Sequence, residues 1–241
     1  MTSPAPRPGA DDARVPIGPM SFEQFLAFAE SDPGTPYEYI GGYAFRKCGV
    51  TKAHNQISLN ISSVLRNRTR GTGCTTYAET FGVRTPDGEF YLPDVAVSCG
   101  PTTPPGEEYI DNPCLAVEVL SPSTRLDDLG VKRQGYHKIP TLGAYLRVES
   151  TWRAVHRDWR DPDGAWRTEL AAGAEGAVAL PCPGGVLTFD EIYEDTDLPP
   201  EPPEHPRLRR VRERMAEYRA EGAVAEGDVA EGAEEYEHAP E

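Results

Sequence analysis

Two acidic residues interrupt two short apolar runs in the middle of the chain. Asp94 lies within the run from Leu92 to Val97, and Glu118 lies within the run from Leu115 to Leu120. The length and the β-branched content of both runs are typical of buried strands. An unpaired carboxylate in a protein core is costly or becomes protonated, so an ordinary salt bridge is one explanation for either acid alone. Two such acids on neighbouring strands favour a site for a hard cation.

The segment after Glu118 supplies further polar side chains at helical spacing. The sequence predicts one helix from about Asp127 to His137, in which Asp128, Lys132 and Tyr136 are four residues apart and share a face. An exposed ion pair between Asp128 and Lys132, worth a few tenths of a kcal/mol, is the alternative. With two strand carboxylates nearby, we expect this face to point at the cation site.

An acid and a histidine upstream are further candidates. Glu38 lies in a predicted hairpin, Tyr37 to Phe45, whose turn is Gly41-Gly42. Because Glu38 alternates with Tyr37 and Tyr39, the alternative is that it is an exposed residue of the strand. His54 lies near the start of an amphipathic helix predicted from Thr51 to Arg68. A lone histidine there is more often structural, and a contact with the site or with a phosphate is the other possibility.

The order Pro-Asp, loop, Glu-x-x, then lysine resembles the PD-(D/E)XK nuclease superfamily. The run EVLSPSTRLDDLGVKRQGYHKIPTLGAYLRVE and the upstream YEYIGGYAF resemble its Uma2 (DUF820) branch, over roughly residues 20 to 195. The resemblance implies an α/β fold (an α+β arrangement with a mixed sheet): a restriction-endonuclease-like core with a central mixed β-sheet flanked by helices.

The resemblance also implies the site residues. Four side chains are expected to be catalytic: Glu38, Asp94, Glu118 and Lys132. Four are expected to support them: His54, Arg125, Asp128 and Tyr136. Asp94, Glu118 and the backbone carbonyl of Val119 are the implied metal ligands. Arg125 carries a planar donor fork suited to a carboxylate or a phosphate, and Asp128 is expected to orient the loop around the metal.

One position departs from the superfamily pattern. Leu120 stands where the (D/E)XK lysine falls, and in the Uma2 branch that lysine is understood to come from the next helix, here Lys132. The implied activity is hydrolysis of DNA phosphodiester bonds by an endonuclease using Mg²⁺, with Mn²⁺ as a possible substitute and a homodimer as a possible form. The alternatives are an inactive nuclease-like module that binds nucleic acid or protein, and a partner protein that acts through its C-terminal helix.

A second Pro-Asp dipeptide, Pro86-Asp87, lies in a polar PDG sequence. Such a sequence is typical of a turn. Asp87 is therefore not expected to belong to the site.

Composition limits the class of protein. The 241 residues are 38% hydrophobic, enough for one sizeable core. No apolar run approaches the ~20 residues of a membrane helix, and the N-terminal residues lack the apolar centre of a signal peptide. We therefore expect a cytoplasmic protein that contacts no membrane. The five cysteines form no CxxC pair, which favours reduced thiols without disulfides or a zinc site.

The net charge of −15 opposes broad contact with a polyanion. Eight acidic residues and no Lys or Arg lie between Glu221 and Glu241, which leaves −7 on the first 220 residues. We therefore expect a small, local phosphate-binding surface. The predicted organisation is a disordered leader (1–18), the Uma2-like domain (19–195), a Pro/Glu linker (196–206), an amphipathic helix (207–220) and an acidic disordered tail (221–241).

Overall fold

The computed structural model describes residues 15–47, 49–101, 104, 106–121, 124–204, 209–210 and 213–215. The chain divides into two units, Met1–Glu201 and Pro202–Glu241. Residues 209–210 and 213–215 of the second unit are helical, and Arg209 pairs with Glu213 at 3.5 Å. The remaining positions of the predicted amphipathic helix, the acidic tail and residues 1–14 of the leader lie outside the described residues.

A first helix precedes the hairpin, which forms where the sequence predicts it. Helix α1 (Phe22–Ser31) begins at Ser21, whose hydroxyl accepts a hydrogen bond from the backbone N–H of Gln24, and the Gln24 side chain accepts one from Ser21. Strands β1 (Tyr37–Ile40) and β2 (Tyr43–Arg46) follow, joined at Gly41 and Gly42, both with positive φ.

The predicted leader is ordered at its end. The backbone of Ile17 exchanges hydrogen bonds of 2.9 and 2.8 Å with Ala44 of β2. An apolar residue beside an unpaired strand edge gains backbone hydrogen bonds by adding to the sheet. Ile17, within the predicted leader, therefore adds to the edge of the hairpin.

Helix α2 (Lys52–Thr69) is capped by the Thr51 hydroxyl and leads into the central strands. These are β3 (Cys74–Ala78), β4 (Gly82–Arg84), β5 (Phe90–Tyr91), β6 (Val95–Cys99), β7 (Tyr109–Ile110), β8 (Leu115–Leu120), β9 (Ala144–Glu149), β10 (Ala154–Arg160) and β11 (Trp166–Ala172). A six-stranded sheet has the order β11-β10-β9-β8-β6-β3, with β8 and β9 parallel and the other neighbours antiparallel. A five-stranded sheet has the order β2-β1-β5-β4-β7.

The apolar run from Leu92 to Val97 is not one strand. Residues 92–94 connect β5 of one sheet to β6 of the other, so Asp94 immediately precedes β6. Pro93 lacks a backbone N–H and cannot donate within a ladder, which places it at a strand boundary. The strand around Glu118, by contrast, has the predicted bounds.

The predicted helix from Asp127 to His137 is two helices. Helix α3 (Arg125–Leu129) ends at Gly130, whose backbone is non-helical (φ −111°, ψ −95°), and helix α4 (Val131–His137) starts there. Glycine has low helix propensity, so a change of direction costs little at this position.

Alternate residues of the six-stranded sheet face two cores. On one face, Val117 and Val148 pack with α2 residues such as Ile57 and Ile61. On the other face, Ala116 and Tyr145 pack with Tyr136 of α4, Tyr91 and Val83. The chain of the first unit then continues through β12 (Ala177–Ala179), β13 (Val186–Thr188) and α5 (Phe189–Ile192), which pack on the α2 side.

Two disulfides contradict the expectation of reduced thiols without disulfides. Cys74 is bonded to Cys99, its direct partner on the neighbouring antiparallel strand, and Cys114 is bonded to Cys182. The spacing of the cysteines along the sequence does not reveal these disulfides. The register of β3 against β6 brings Cys74 and Cys99 together, and a contact between segments 68 residues apart brings Cys114 to Cys182. Cys48 lies outside the described residues. Within the described ranges, no helix has the length and apolar content to span a membrane.

Candidate active site

Asp94 immediately precedes β6, and the neighbouring strand β8 extends beyond this point. The backbone N–H of Val119 in β8 therefore has no β6 partner, and the Asp94 carboxylate accepts its hydrogen bond instead. Its Oδ2 accepts a hydrogen bond of 2.7 Å from the Val119 backbone N–H. His54 Nε2 lies 3.2 Å from the same oxygen, and Lys47 Nζ lies 2.9 Å from Oδ1. A buried acid is thus held by one backbone donor and two basic side chains.

The charge of this carboxylate is maintained by those neighbours. Burial by itself raises the pKa of Asp94, but hydrogen bonds and charge interactions with His54 and Lys47 outweigh it and lower the pKa well below the ordinary value. Burial lowers the pKa of Lys47, and the carboxylates of Asp94, Glu118 and Glu38 reverse that and raise it. Asp94 is therefore an anion and Lys47 a cation across the neutral range.

Lys132 lies at the centre of a second, contiguous cluster. Its ammonium contacts Glu38 Oε1 at 2.7 Å, Glu118 Oε1 at 3.1 Å and Asp128 Oδ1 at 3.1 Å. All four side chains are at most 4% exposed. Tyr136 donates a hydrogen bond of 3.1 Å to Glu118 Oε1. One lysine thus holds three buried carboxylates together.

The local sequence explains why these groups meet. Glu118 is on the face of β8 that points toward α4, because it alternates with Val117 and Val119, which pack against α2. Lys132 and Tyr136 are one turn apart in α4 and reach the same carboxylate. Glu38, on β1, also accepts a hydrogen bond of 3.0 Å from the backbone N–H of Leu92, which fixes it beside the Asp94 segment.

The cluster contains more acidic than basic groups, and this changes its proton affinity. Burial, and then the neighbouring charges of Asp128, Asp94 and Glu38, raise the pKa of Glu118 to about 8 despite the opposing effect of Lys132. Burial also raises the pKa of Asp128. The Glu118 and Asp128 carboxyl groups are therefore easier to protonate than ordinary acidic side chains.

A small cleft opens onto both clusters. It is lined by Lys47, Gly49, Val50, His54, Asp94, Glu118, Val119, Ser121, Thr124 and Lys132. Its volume of about 20 Å³ is enough for one water molecule or one ion. The three residues expected to bind a metal, Asp94, Glu118 and Val119, therefore line one cavity of the size of a single ion.

The structure brings together seven of the eight predicted side chains: Glu38, His54, Asp94, Glu118, Asp128, Lys132 and Tyr136. The exposed position considered for Glu38 is wrong, since its side chain is fully buried. The surface ion pair considered for Asp128 and Lys132 is also wrong, since both are buried.

Arg125, the eighth predicted residue, pairs with Glu149 at 2.6 Å. Asp87 is outside the site as predicted, and it pairs with Lys138 at the surface.

Lys47 is the site residue that the sequence pattern did not identify. It follows the strand Tyr43–Arg46 directly, and its Nζ also donates a hydrogen bond of 2.9 Å to the carbonyl of Leu92. A basic residue at the end of a strand is an ordinary surface feature. The only signal was the sequence position just after the YEYIGGYAF motif.

The Arg125 pair predicts an acid-sensitive contribution to stability. Burial raises the pKa of Glu149, but hydrogen bonds from His156 and Arg125 outweigh it and lower the pKa from 4.5 to about 2. The stabilisation is therefore complete above pH 4.5 and is lost as pH falls toward 2. We expect Glu149→Gln to cost about 1 kcal/mol at pH 7, since Arg125 is partly exposed, and to cost little at pH 2–3. Urea unfolding across pH measures this, with Glu169→Gln as control; an equal loss at every pH would contradict it.

The fold and the site together define the class of protein. A six-stranded mixed sheet with helices on its faces and a buried acidic centre is the restriction-endonuclease-like architecture expected from the sequence. Residues 22–186 match the family model of Uma2, described as "Putative restriction endonuclease". The chain belongs to the Uma2 family.

Two similar proteins support the family and the fold. An uncharacterized protein of Synechocystis sp., slr1290, is 32% identical over 185 residues, which are 76% of this chain and 96% of that protein. A crystal structure from Anabaena variabilis, of "a putative nuclease belonging to DUF820", superposes with a TM-score of 0.60 at 18% identity. The superposition covers 73% of this chain and 98% of the Anabaena variabilis chain. At this identity the likeness concerns the fold.

Proposed function

We propose that this protein is a Mg²⁺-dependent endonuclease that hydrolyses DNA phosphodiester bonds. One observation carries the proposal: Asp94, Glu118 and Val119 line a single ion-sized cleft inside a cluster whose carboxylates outnumber its lysines. A protein that buried these acids for stability alone would gain more from apolar residues of the same volume. Retaining them at a cleft is expected where they bind a cation.

The residues fit a magnesium ion. Mg²⁺ prefers carboxylate, carbonyl and water oxygens and usually keeps several waters. Two carboxylates and the Val119 carbonyl supply such donors, whereas the described cysteines, which favour softer metals, are paired with each other. The raised pKa of Glu118 means that this carboxyl group would ionise more fully beside an added positive charge. Mn²⁺ has similar ligand preferences and is expected to substitute.

Each group has a distinct part in the proposed chemistry. When bound, Mg²⁺ polarises the scissile phosphate and lowers the pKa of the attacking water. Asp94, Glu118 and the Val119 carbonyl would hold the ion. Glu38 and Lys132 hold Glu118 in place, and the Tyr136 hydroxyl donates a hydrogen bond to it. His54 contacts Asp94 through Nε2, which fixes the orientation of that carboxylate.

The two lysines differ in access to substrate. The Lys132 side chain is 2% exposed and contacts three carboxylates, so movement toward a phosphate would break three ion pairs. The Lys47 side chain is 18% exposed and lines the cleft with one carboxylate partner. We therefore place Lys47 against the phosphate or the attacking water, and Lys132 as the residue that organises the acids.

The Lys47→Met variant separates binding from catalysis. We expect it to bind Mg²⁺ at least as tightly as the wild type, because a competing ammonium beside Asp94 is lost. We expect cleavage to fall by roughly 10²-fold, the usual effect of losing one electrostatic or acid–base group. Calorimetry and initial cleavage rates measure the two quantities. Weaker metal binding with an unchanged rate at saturating Mg²⁺ would contradict this assignment.

The proposal is tested by DNA cleavage. Purified protein is incubated with supercoiled plasmid and with single-stranded DNA in Mg²⁺, in Mn²⁺ and in EDTA. We expect nicked or linear products with either metal and none in EDTA. Intact DNA under all metal conditions, from folded protein, would overturn the nuclease assignment.

A second candidate is a nuclease-like module that binds nucleic acid or protein without cleavage. Lys47 favours it, because its ammonium already neutralises Asp94 without a metal. This candidate predicts DNA or protein binding that is independent of Mg²⁺ and no change in melting temperature when the ion is added.

A further inference from the structure

Within the part of the chain that the structure describes, Cys74, Cys99, Cys114 and Cys182 form one sulfur cluster. Cys74 and Cys99 are bonded, Cys114 and Cys182 are bonded, and the sulfurs of Cys99 and Cys114 lie only 3.5 Å apart. The sulfurs of Cys99, Cys114 and Cys182 all lie within 4.8 Å of one another. Cys74 joins this group of three through its bond to Cys99, so the two disulfides are adjacent and their four sulfurs come from four separate segments.

The surrounding structure holds these positions firmly. Cys74 begins β3, Cys99 ends β6, and Cys114 directly precedes β8, all in the six-stranded sheet. Cys182 lies between β12 and β13 and is 8% exposed. Cys74, Cys114 and Cys182 pack at the edge of the larger core, and Cys99 is exposed to solvent. The cluster is therefore anchored on its inner side and open to an ion on its outer side.

We propose that, when their thiols are reduced, Cys74, Cys99, Cys114 and Cys182 form a tetrathiolate site for one Zn²⁺ ion. Structural zinc is bound tetrahedrally by four ligands with Zn–S distances of about 2.3 Å, which places neighbouring sulfurs about 3.8 Å apart. The separations that join the two disulfides have this scale. The ligands come from distant parts of the sequence, so a search for CxxC spacing does not reveal the site.

The metal-bound and disulfide-bonded states use the same sulfurs and exclude each other. From the disulfide-bonded chain, a thiol reductant supplies two electrons to each disulfide, and two protons complete the two thiols. The reductant is oxidised to its own disulfide. Zn²⁺ then binds with release of the four thiol protons. In either state the cluster ties the connection between β12 and β13 to the edge of the six-stranded sheet.

Metal analysis of the full chain tests this inference. The protein is purified with a phosphine reductant, reconstituted with Zn²⁺ and desalted, and zinc is quantified by mass spectrometry. We expect one zinc per chain in the wild type, and also in Cys48→Ser and Asp94→Asn, which leave the four ligands intact. We expect Cys99→Ser and Cys182→Ser to lose it. Retention of zinc in either of these two variants would overturn the site.

The cysteine variants could lose zinc only because they misfold, so a second measurement uses Co²⁺ bound to the wild-type protein. We expect Co²⁺ bound to the reduced wild type to show thiolate-to-cobalt charge transfer and the visible bands of tetrahedral coordination. Addition of Zn²⁺ is expected to remove both. Four free thiols by thiol titration without these bands and without bound zinc would overturn the proposal. So would disulfides that persist through reduction and exclude the metal.

Discussion

Asp94→Asn is expected to reduce Mg²⁺-dependent DNA cleavage by on the order of 10³-fold or more. The amide keeps the size of the side chain and removes the negative charge that is held beside His54, Lys47 and Val119. A bound metal contributes several kcal/mol of charge stabilisation in the transition state, and each 1.4 kcal/mol or so is a factor of ten in rate. Initial rates of plasmid nicking at saturating Mg²⁺ measure the effect.

Asp87→Asn is the matched control for this prediction. Asp87 also follows a proline, but it lies in the turn before β5 and pairs with Lys138 at the protein surface. Its variant is expected to cleave at the wild-type rate. The assignment of Asp94 as a metal ligand is wrong if the Asp94 variant retains activity, or if both variants lose activity equally.

Lys132→Met is expected to destabilise the folded protein by about 3–5 kcal/mol at pH 8 without divalent metal. Removal of one partner of a buried ion pair leaves uncompensated charge, and here three carboxylates would face each other. The loss is expected to shrink as pH falls, because the acids can then take up protons. Urea unfolding in EDTA, followed by circular dichroism, measures it.

Lys138→Met is the control for the stability prediction. Its ammonium pairs with a single exposed aspartate, so water and salt replace the lost contact. We expect no measurable change in the unfolding midpoint. A Lys132 variant as stable as this control at pH 8 would show that Lys132 does not hold the acidic cluster together.

Most of the site followed from the sequence because its residues lie in regular elements. The strand Leu115–Leu120 was predicted with its actual bounds, since turn residues flank a continuous apolar run. Because both faces of this strand are buried, the Glu118 carboxylate needs a partner. The spacing of Lys132 and Tyr136 in α4 correctly placed both on one face. The family resemblance supplied the link to Glu38, which lies in the other sheet.

What the sequence did not reveal depends on contacts between distant segments. The pairing of Lys47 with Asp94 and that of Cys114 with Cys182 join residues 47 and 68 positions apart, and no local pattern encodes them. The break at Gly130 has a local cause, but a single glycine within a helical pattern is often tolerated. The motif assigned Arg125 to the site, whereas Arg125 pairs with Glu149, 24 residues further along the chain at the end of β9.

The most direct test of the central claim is a calorimetric titration of Mg²⁺ into the wild-type protein and into Glu118→Gln. The proposed site predicts one Mg²⁺ per chain in the wild type, proton release on binding near neutral pH, and little or no binding in the variant. Proton release is expected because the pKa of Glu118 is raised to about 8 and a cation favours its ionised form. Absence of Mg²⁺ binding to the wild type, or equal binding to both proteins, would contradict a metal site at Asp94 and Glu118.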